Sequence, residues 1–243
     1  MERPACLEFF SGLGGLGLAV KDRFRVAAAY DIDGDVEATH RLNHPHPLVR
    51  RGVESLDAAE IDRHDAVAWL LSPPCQPFTR RGKQRDLDDP RCAGLLKLIE
   101  LLPRCRPKAI LLENVPGFHG SRAHARLRSA LEELGHEVRD VEACPSEQGA
   151  PVRRRRHFVL SCREGLAEGL APGATLATDL DVHLDPAPAE DLTVPDELRR
   201  RFDDELPGRE GRLSLHQWRE RRCVARPLRA RYGRSASPRS LAR

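Results

Sequence analysis

The chain lacks any Cys-x-x-Cys pair, has a single methionine and only 5% aromatic residues, and carries a net charge of just +3 over 243 residues. Its seven scattered cysteines, an odd number, therefore read as reduced thiols, neither a disulfide frame nor a zinc site, and no metal ligands are expected. Long apolar runs are missing as well. The longest, Ala66 to Leu71, falls far short of the roughly 18–20 residues of a membrane span, and the mean hydropathy of −0.51 agrees. Membrane and collagen-like classes are set aside on these grounds. Met1-Glu2-Arg3-Pro4 leads straight into a strand-like segment without a charged leader and apolar core, which sets the expectation of a cytoplasmic protein. A near-neutral total does not by itself advertise a nucleic-acid binder. What remains is a chain long enough for one large domain, able to bury roughly 70–75% of the surface it exposes when unfolded.

The first 160 residues or so alternate short apolar runs with helix-like stretches. Leu7–Phe10, Arg25–Tyr30, Ala66–Leu71 and Ala109–Leu112 read as buried strands. Helical candidates lie between and after them, at about Leu16–Lys21, Asp35–Leu42, Leu95–Leu102 and Ala123–Leu134, with Gly135 as a C-cap. Glu137–Val141 and His157–Ser161 read as a late strand pair at a sheet edge. The predicted fold class is α/β, an open, mostly parallel doubly wound sheet. The expected division is an α/β domain at 1–163, a linker or remnant at 164–206 and an arginine-rich tail at 207–243. That tail holds eleven arginines, no lysine and two glutamates, a local net of +9 that leaves −6 for the rest. It is suited to a phosphate backbone, through contacts that are blind to sequence and weaken with salt.

Two segments carry chemistry. Gly12-Leu13-Gly14-Gly15-Leu16-Gly17 follows the first strand and opens a helix, and Asp31 stands about twenty residues on at the end of the second strand. Loop, helix and acid in this order point to an adenosine-type cofactor whose ribose the acid would hold. They do not separate a nicotinamide dinucleotide from S-adenosylmethionine. Ser72-Pro73-Pro74-Cys75-Gln76-Pro77-Phe78-Thr79 follows the strand that ends at Leu71. Three prolines around one cysteine stiffen the loop and place Cys75 at the carboxyl edge of the sheet, as a candidate nucleophile.

Phe10-Ser11-Gly12-Leu13-Gly14-Gly15, Pro73-Pro74-Cys75-Gln76, Glu113-Asn114-Val115 and Arg154-x-Arg156, in this order and at these separations, resemble the motif series of the cytosine-C5 methyltransferases. The resemblance covers residues 5–163, about two-thirds of the chain. It implies the Rossmann-like fold of that family with S-adenosylmethionine as cofactor, and a flipped cytosine as target, because C6 of a stacked base is out of a thiol's reach. By the same resemblance Cys75 adds to C6, Glu113 donates a hydrogen bond or proton to N3, Arg156 contacts the O2 side and Arg154 positions the catalytic loop. Phe10, Gly12, Gly14 and Gly15 match the family's contacts to the methionine end of the cofactor, Asp31 the ribose and Ile32 the adenine face. Glu54, Pro74 and Leu95 complete the implied pocket. The stretch Arg80–Arg91 matches the loop that closes over the extruded base.

The resemblance also implies a nucleic-acid partner, with DNA as the majority substrate of the family and tRNA as the alternative. Texture favours the tRNA-methylating branch: Pro73 to Arg80, Leu111 to Val115 followed by Gly117-Phe118, and Leu192-Thr193-Val194-Pro195 resemble it, while Cys223-Val224-Ala225 only echoes its Cys-Phe-Thr signature. Val152 stands where the family has a polar residue, and no late Arg-Leu-Gln-Gly-Phe-like run or Asn-x-Val-like helix follows residue 163. The expectation is of a chain short at its C-terminus. A partner chain would supply the missing motifs, or the protein would be a truncated relative that only binds cofactor or nucleic acid.

Overall fold

The structure, a computed structural model, describes residues 2–79, 85–150 and 152–168. The expected tail at 207–243, nearly all of the expected linker and positions 80–84 of the expected closing loop lie outside the described residues. The chain divides into two units, Met1–Ala143 with Arg155–Ala171, and Cys144–Arg154 with Pro172–Arg243.

In the first unit seven strands form one sheet: β1 (Ala5–Phe9), β2 (Arg25–Asp31), β3 (Leu48–Arg50), β4 (Ala68–Leu71), β5 (Ala109–Asn114), β6 (Glu137–Ala143) and β7 (Arg156–Cys162). Their order is β3-β2-β1-β4-β5-β7-β6. The first five strands pair in parallel, whereas β7 runs antiparallel between β5 and β6. The doubly wound sheet and its late antiparallel pair are thus as expected. The helices are α1 (Gly15–Val20), α2 (Glu37–Asn43), α3 (Ala58–Asp62), α4 (Ala93–Cys105) and α5 (Arg122–Glu133). Gly135 closes α5 at φ +81, a left-handed conformation that glycine adopts without strain. Two elements go beyond the sequence expectation. The edge strand β3 has three residues, and α3 has five, capped by the Asp57 carboxylate accepting from Glu60 N–H. Neither is long enough to display a period.

Strand alternation explains the core. Leu7 and Phe9, Trp69 and Leu71, and Ile110 and Leu112 point to the face covered by α4 and α5, where Leu95, Leu98, Leu102, Leu127 and Leu131 are buried with them. Their neighbours Cys6, Ala68 and Leu70 face the other way, with Val26, onto a smaller cluster that includes Leu16 and Val20 of α1. The chain moves outward from β1 in one direction through β2 and β3, then returns to place β4 on the other side of β1. This is the switch point at whose carboxyl edge open α/β sheets bind ligands. No helix among the described residues is long and apolar enough to cross a membrane.

Glu8 is an exception within β1, a fully buried carboxylate. Its Oε1 accepts the N–H groups of Leu16 (3.1 Å) and Gly17 (3.0 Å), two donors that the first turn of α1 would leave orphaned. Its Oε2 has no partner, and burial pushes the carboxyl above its ordinary value of 4.5. A raised folded-state value means that the group's contribution is full below the unfolded value and is lost as pH rises through the folded one. Glu8→Gln keeps the acceptor and removes the buried charge. The expected result is a melting temperature that gains on wild type at pH 7 relative to pH 4, whereas Glu8→Ala loses about 1–3 kcal/mol by orphaning the helix donors. Calorimetry at the two pH values checks both.

Candidate active site

The cysteine loop leaves β4 and the glutamate is the penultimate residue of β5, two parallel neighbours paired from Ala68 with Ala109 to Leu71 with Leu112. Adjacent carboxyl ends therefore carry Cys75 and Glu113. Cys75 is half-buried and opens a 3₁₀ turn over Gln76–Phe78, with Pro77 in its first positions. Buried Asn114 ties the two loops together: its amide donates to the Pro73 carbonyl at 3.0 Å while its Oδ1 accepts from Val115 N–H at 2.8 Å. Phe78 meets Phe118 edge to face at 5.0 Å. Gly117 allows this approach, since a Cβ there would stand 2.3 Å from the Phe78 carbonyl oxygen. The prolines stiffen the cysteine loop from within, and these contacts fix it from outside.

Glu113 has a cationic partner. Arg156, the first residue of β7, places Nε 2.7 Å from Glu113 Oε1, with the two side chains 18% and 26% exposed. The antiparallel register makes this pairing: Glu113 lies opposite Phe158, two residues into β7 from Arg156. A second cation comes from the turn Pro90–Cys92. Arg91 grips Asp89 through Nε and Nη2 at 2.8 and 2.6 Å, and these bonds hold the Asp89 carboxyl down to about 2. Arg91 is thereby a guanidinium held in place by Asp89. The sequence reading placed Arg91 in the closing loop and assigned it no such part.

The glycine loop lies across the switch point. Phe10 is left-handed at φ +57, as are Gly12 at +51 and Gly14 at +81, and a non-glycine residue held there marks a backbone that its surroundings over-determine. Gly12 N–H donates to Asp31 Oδ2 at 2.7 Å and Asp33 N–H to Oδ1 at 2.9 Å, which ties the loop after β1 to the end of β2. Each Asp31 oxygen keeps a lone pair for a further donor. A Cβ at Gly12 or Gly15 would meet nothing within 4 Å, whereas at Gly14 it would strike His44, whose Nε2 lies 2.8 Å from the Leu13 carbonyl oxygen. Ile32 is 69% exposed, an apolar surface beside the acid. Glu54 is exposed on the turn Val53–Ser55 and Pro74 is half-buried beside Cys75. Leu95, at 1% exposure, is part of the core under α4.

Over residues 5–212 the chain matches the family described as C-5 cytosine-specific DNA methylase. The chain belongs to this family. Among its relatives, the tRNA (cytosine(38)-C(5))-methyltransferase of Bos taurus is 36% identical over 167 residues, 66% of this chain and 43% of that protein. The DNA (cytosine-5)-methyltransferase of Dictyostelium discoideum is 31% identical over 173 residues, 68% of this chain and 46% of the other. The crystal structure of the S. pombe Dnmt2 methyltransferase superposes with a TM-score of 0.67 at 25% identity, covering 82% of this chain and 65% of that one. The chain thus spans less than half the length of these two sequence relatives.

Within this methylase frame the structure brings together Cys75, Pro74, Glu113 and Arg156 at one sheet edge, and Phe10, Gly12, Gly14, Gly15, Asp31 and Ile32 around the glycine loop. Arg154 falls in the second unit, where it is exposed. Val152, at the position where the family has a polar residue, is half-buried in that unit.

Proposed function

We propose that this chain carries the catalytic machinery of an S-adenosylmethionine-dependent cytosine-C5 methyltransferase that acts on tRNA. The observation that carries the reading is the junction of the Cys75 loop with the Glu113–Arg156 pair at the ends of β4 and β5, held by Asn114. Unmodified C5 of cytosine is too poor a nucleophile to be alkylated. Addition of the Cys75 thiolate to C6 forms an S–C bond at the expense of the C5=C6 π bond, ends the ring's aromaticity and leaves C5 enamine-like. The electron density displaced toward N3 and O2 is met by Glu113 and by the cation of Arg156. Once C5 is substituted, loss of its proton re-forms the double bond and expels Cys75.

S-adenosylmethionine, when bound, supplies an electrophilic methyl group on its sulfonium. The residues fit it: the open flanks of Gly12 and Gly15 admit a ligand against backbone, Asp31 can accept from a ribose diol, and exposed Ile32 offers an apolar face to adenine. Phe10, Gly14, Pro74 and Glu54 stay with this pocket as proposed contacts, and Leu95 acts behind it through the core.

The sequence alone put DNA first. The relatives named for tRNA methylation, together with the texture of the segments Pro73 to Arg80 and Leu111 to Phe118, support tRNA ahead of it. Transfer of tritiated methyl groups by the purified full chain tests the choice. Label is expected in tRNA and not in duplex DNA of the same length; preferential labelling of the duplex would return the reading to DNA.

A further inference from the structure

We propose that His119, His124, Asp140 and His157 form a closed binding site for one zinc-like divalent ion, a structural site distinct from the catalytic groups. One ligand atom from each of the four lies within 4.8 Å of all the others. No short motif brings them together. His119 follows the turn Pro116–Phe118 after β5, His124 is in the first turn of α5, Asp140 is in the middle of β6 and His157 is the second residue of β7. The strand register does the rest: Asp140 lies opposite Val159 and His157 opposite Glu142, so Asp140 and His157 are diagonal neighbours on the sheet face that α5 covers.

The geometry is that of ligands already converged. His124 Nε2 and His157 Nε2 approach the same carboxylate oxygen, Asp140 Oδ1, at 2.8 and 2.9 Å. The ring of His119 is centred 5.0 Å from that of His124 and 4.9 Å from that of His157. Arg128 Nη1 donates to Asp140 Oδ2 at 2.7 Å, which fixes the rotation of the carboxylate and turns Oδ1 to the rings, as an outer-shell partner does for a ligand. A tetrahedral ion with bonds of about 2.0–2.1 Å needs donor atoms roughly 3.3 Å apart. The spacings found here bracket that value.

Hydrogen bonding alone leaves the cluster incomplete. Two imidazole N–H groups would have to share one carboxylate oxygen. An ion takes the place of both Nε2 protons, each neutral imidazole then carrying its one proton on Nδ1, and the Gly120 N–H contact to His124 Nδ1, long at 3.3 Å, is given up. Three imidazoles and one carboxylate are the donor set of zinc and its neighbours, in contrast to the all-oxygen sets of magnesium and calcium. Four protein ligands leave no open position, the mark of a structural site. Exposed His119 provides the way in.

The ion would join the segment after Glu113, the start of α5 and both antiparallel strands. Phe118, whose ring is 5.6 Å from His124 on one side and 5.0 Å from Phe78 on the other, links this staple to the wall behind the cysteine loop.

The test uses the full chain, stripped with a chelator and titrated with Zn²⁺ against a chromophoric competitor, with Co²⁺ as a spectroscopic probe. One equivalent is expected, with visible bands of tetrahedral intensity, no thiolate-to-cobalt charge transfer and a higher melting temperature. His119→Ala, at an exposed position, is expected to fold with an unchanged metal-free melting temperature and to bind about 100-fold or more weakly. Asp140→Asn should weaken binding similarly. Absence of uptake at micromolar metal, uptake equal to wild type in both variants, or charge-transfer bands from cysteine thiolates would overturn the assignment.

Discussion

Cys75→Ala is expected to lower methyl transfer by about four orders of magnitude or more, with the melting temperature nearly unchanged. The size follows from the role: without an attacking sulfur, C5 keeps its aromatic character, and removal of a covalent nucleophile disables the groups that act with it. The small structural effect follows from the setting. The half-buried thiol is placed by its neighbours, through three prolines, the Asn114 bond to Pro73 and the Phe78–Phe118 contact, and the alanine variant retains all of them. Cys75→Ser should be nearly as inactive, since a hydroxyl has no comparable ionised fraction near neutral pH. Transfer rates, with calorimetry on the same preparations, separate a lost nucleophile from a lost fold.

The second large effect belongs to the Glu113–Arg156 pair. Glu113→Gln and Arg156→Ala are each expected to reduce transfer by about 10²–10⁴-fold, the range for a positioned acid–base group. Their effects should not add. The side chains meet at 2.7 Å with most of their surface removed from solvent, so the double variant is expected to be little worse than the poorer single one. Arg156→Ala should also be the less stable of the two, because it leaves a carboxylate part-buried without its cation, at a cost of about 1–3 kcal/mol. Arg156→Lys restores the charge but not the planar Nε donor, and only partial recovery is expected. Simple additivity in the double variant would show that the two groups act separately.

The positions proposed as catalytic were legible in the sequence because each lies at or just beyond the end of an apolar strand. Leu71 and Leu112 end apolar runs; the prolines after one mark a loop, and Glu113-Asn114 after the other are the last two residues of β5 at the same carboxyl edge. The glycine loop and Asp31 were legible for the same reason. Pairings made by the sheet order were not. That Arg156 meets Glu113 depends on β7 entering between β5 and β6, and the four residues His119, His124, Asp140 and His157 are gathered by that register and by the start of α5. The grip of Asp89 on Arg91 is likewise a matter of side-chain geometry in a short turn. Leu95, at a helical apolar position, is 1% exposed in the core under α4, a depth that periodicity alone does not give. Elements as short as β3 and α3 carry no period to read, and their capping and edge pairing are tertiary facts.

The most direct measurement is the mass of the protein after reaction with S-adenosylmethionine and tRNA containing 5-fluorocytosine. Fluorine in place of the C5 hydrogen cannot leave as a proton, so a thiol that has added to C6 stays bound. A denaturant-resistant adduct mapped to Cys75, and lost in Cys75→Ala, is the predicted result. Methyl transfer to unmodified tRNA without such an adduct, or an adduct that persists in Cys75→Ala, would contradict the account.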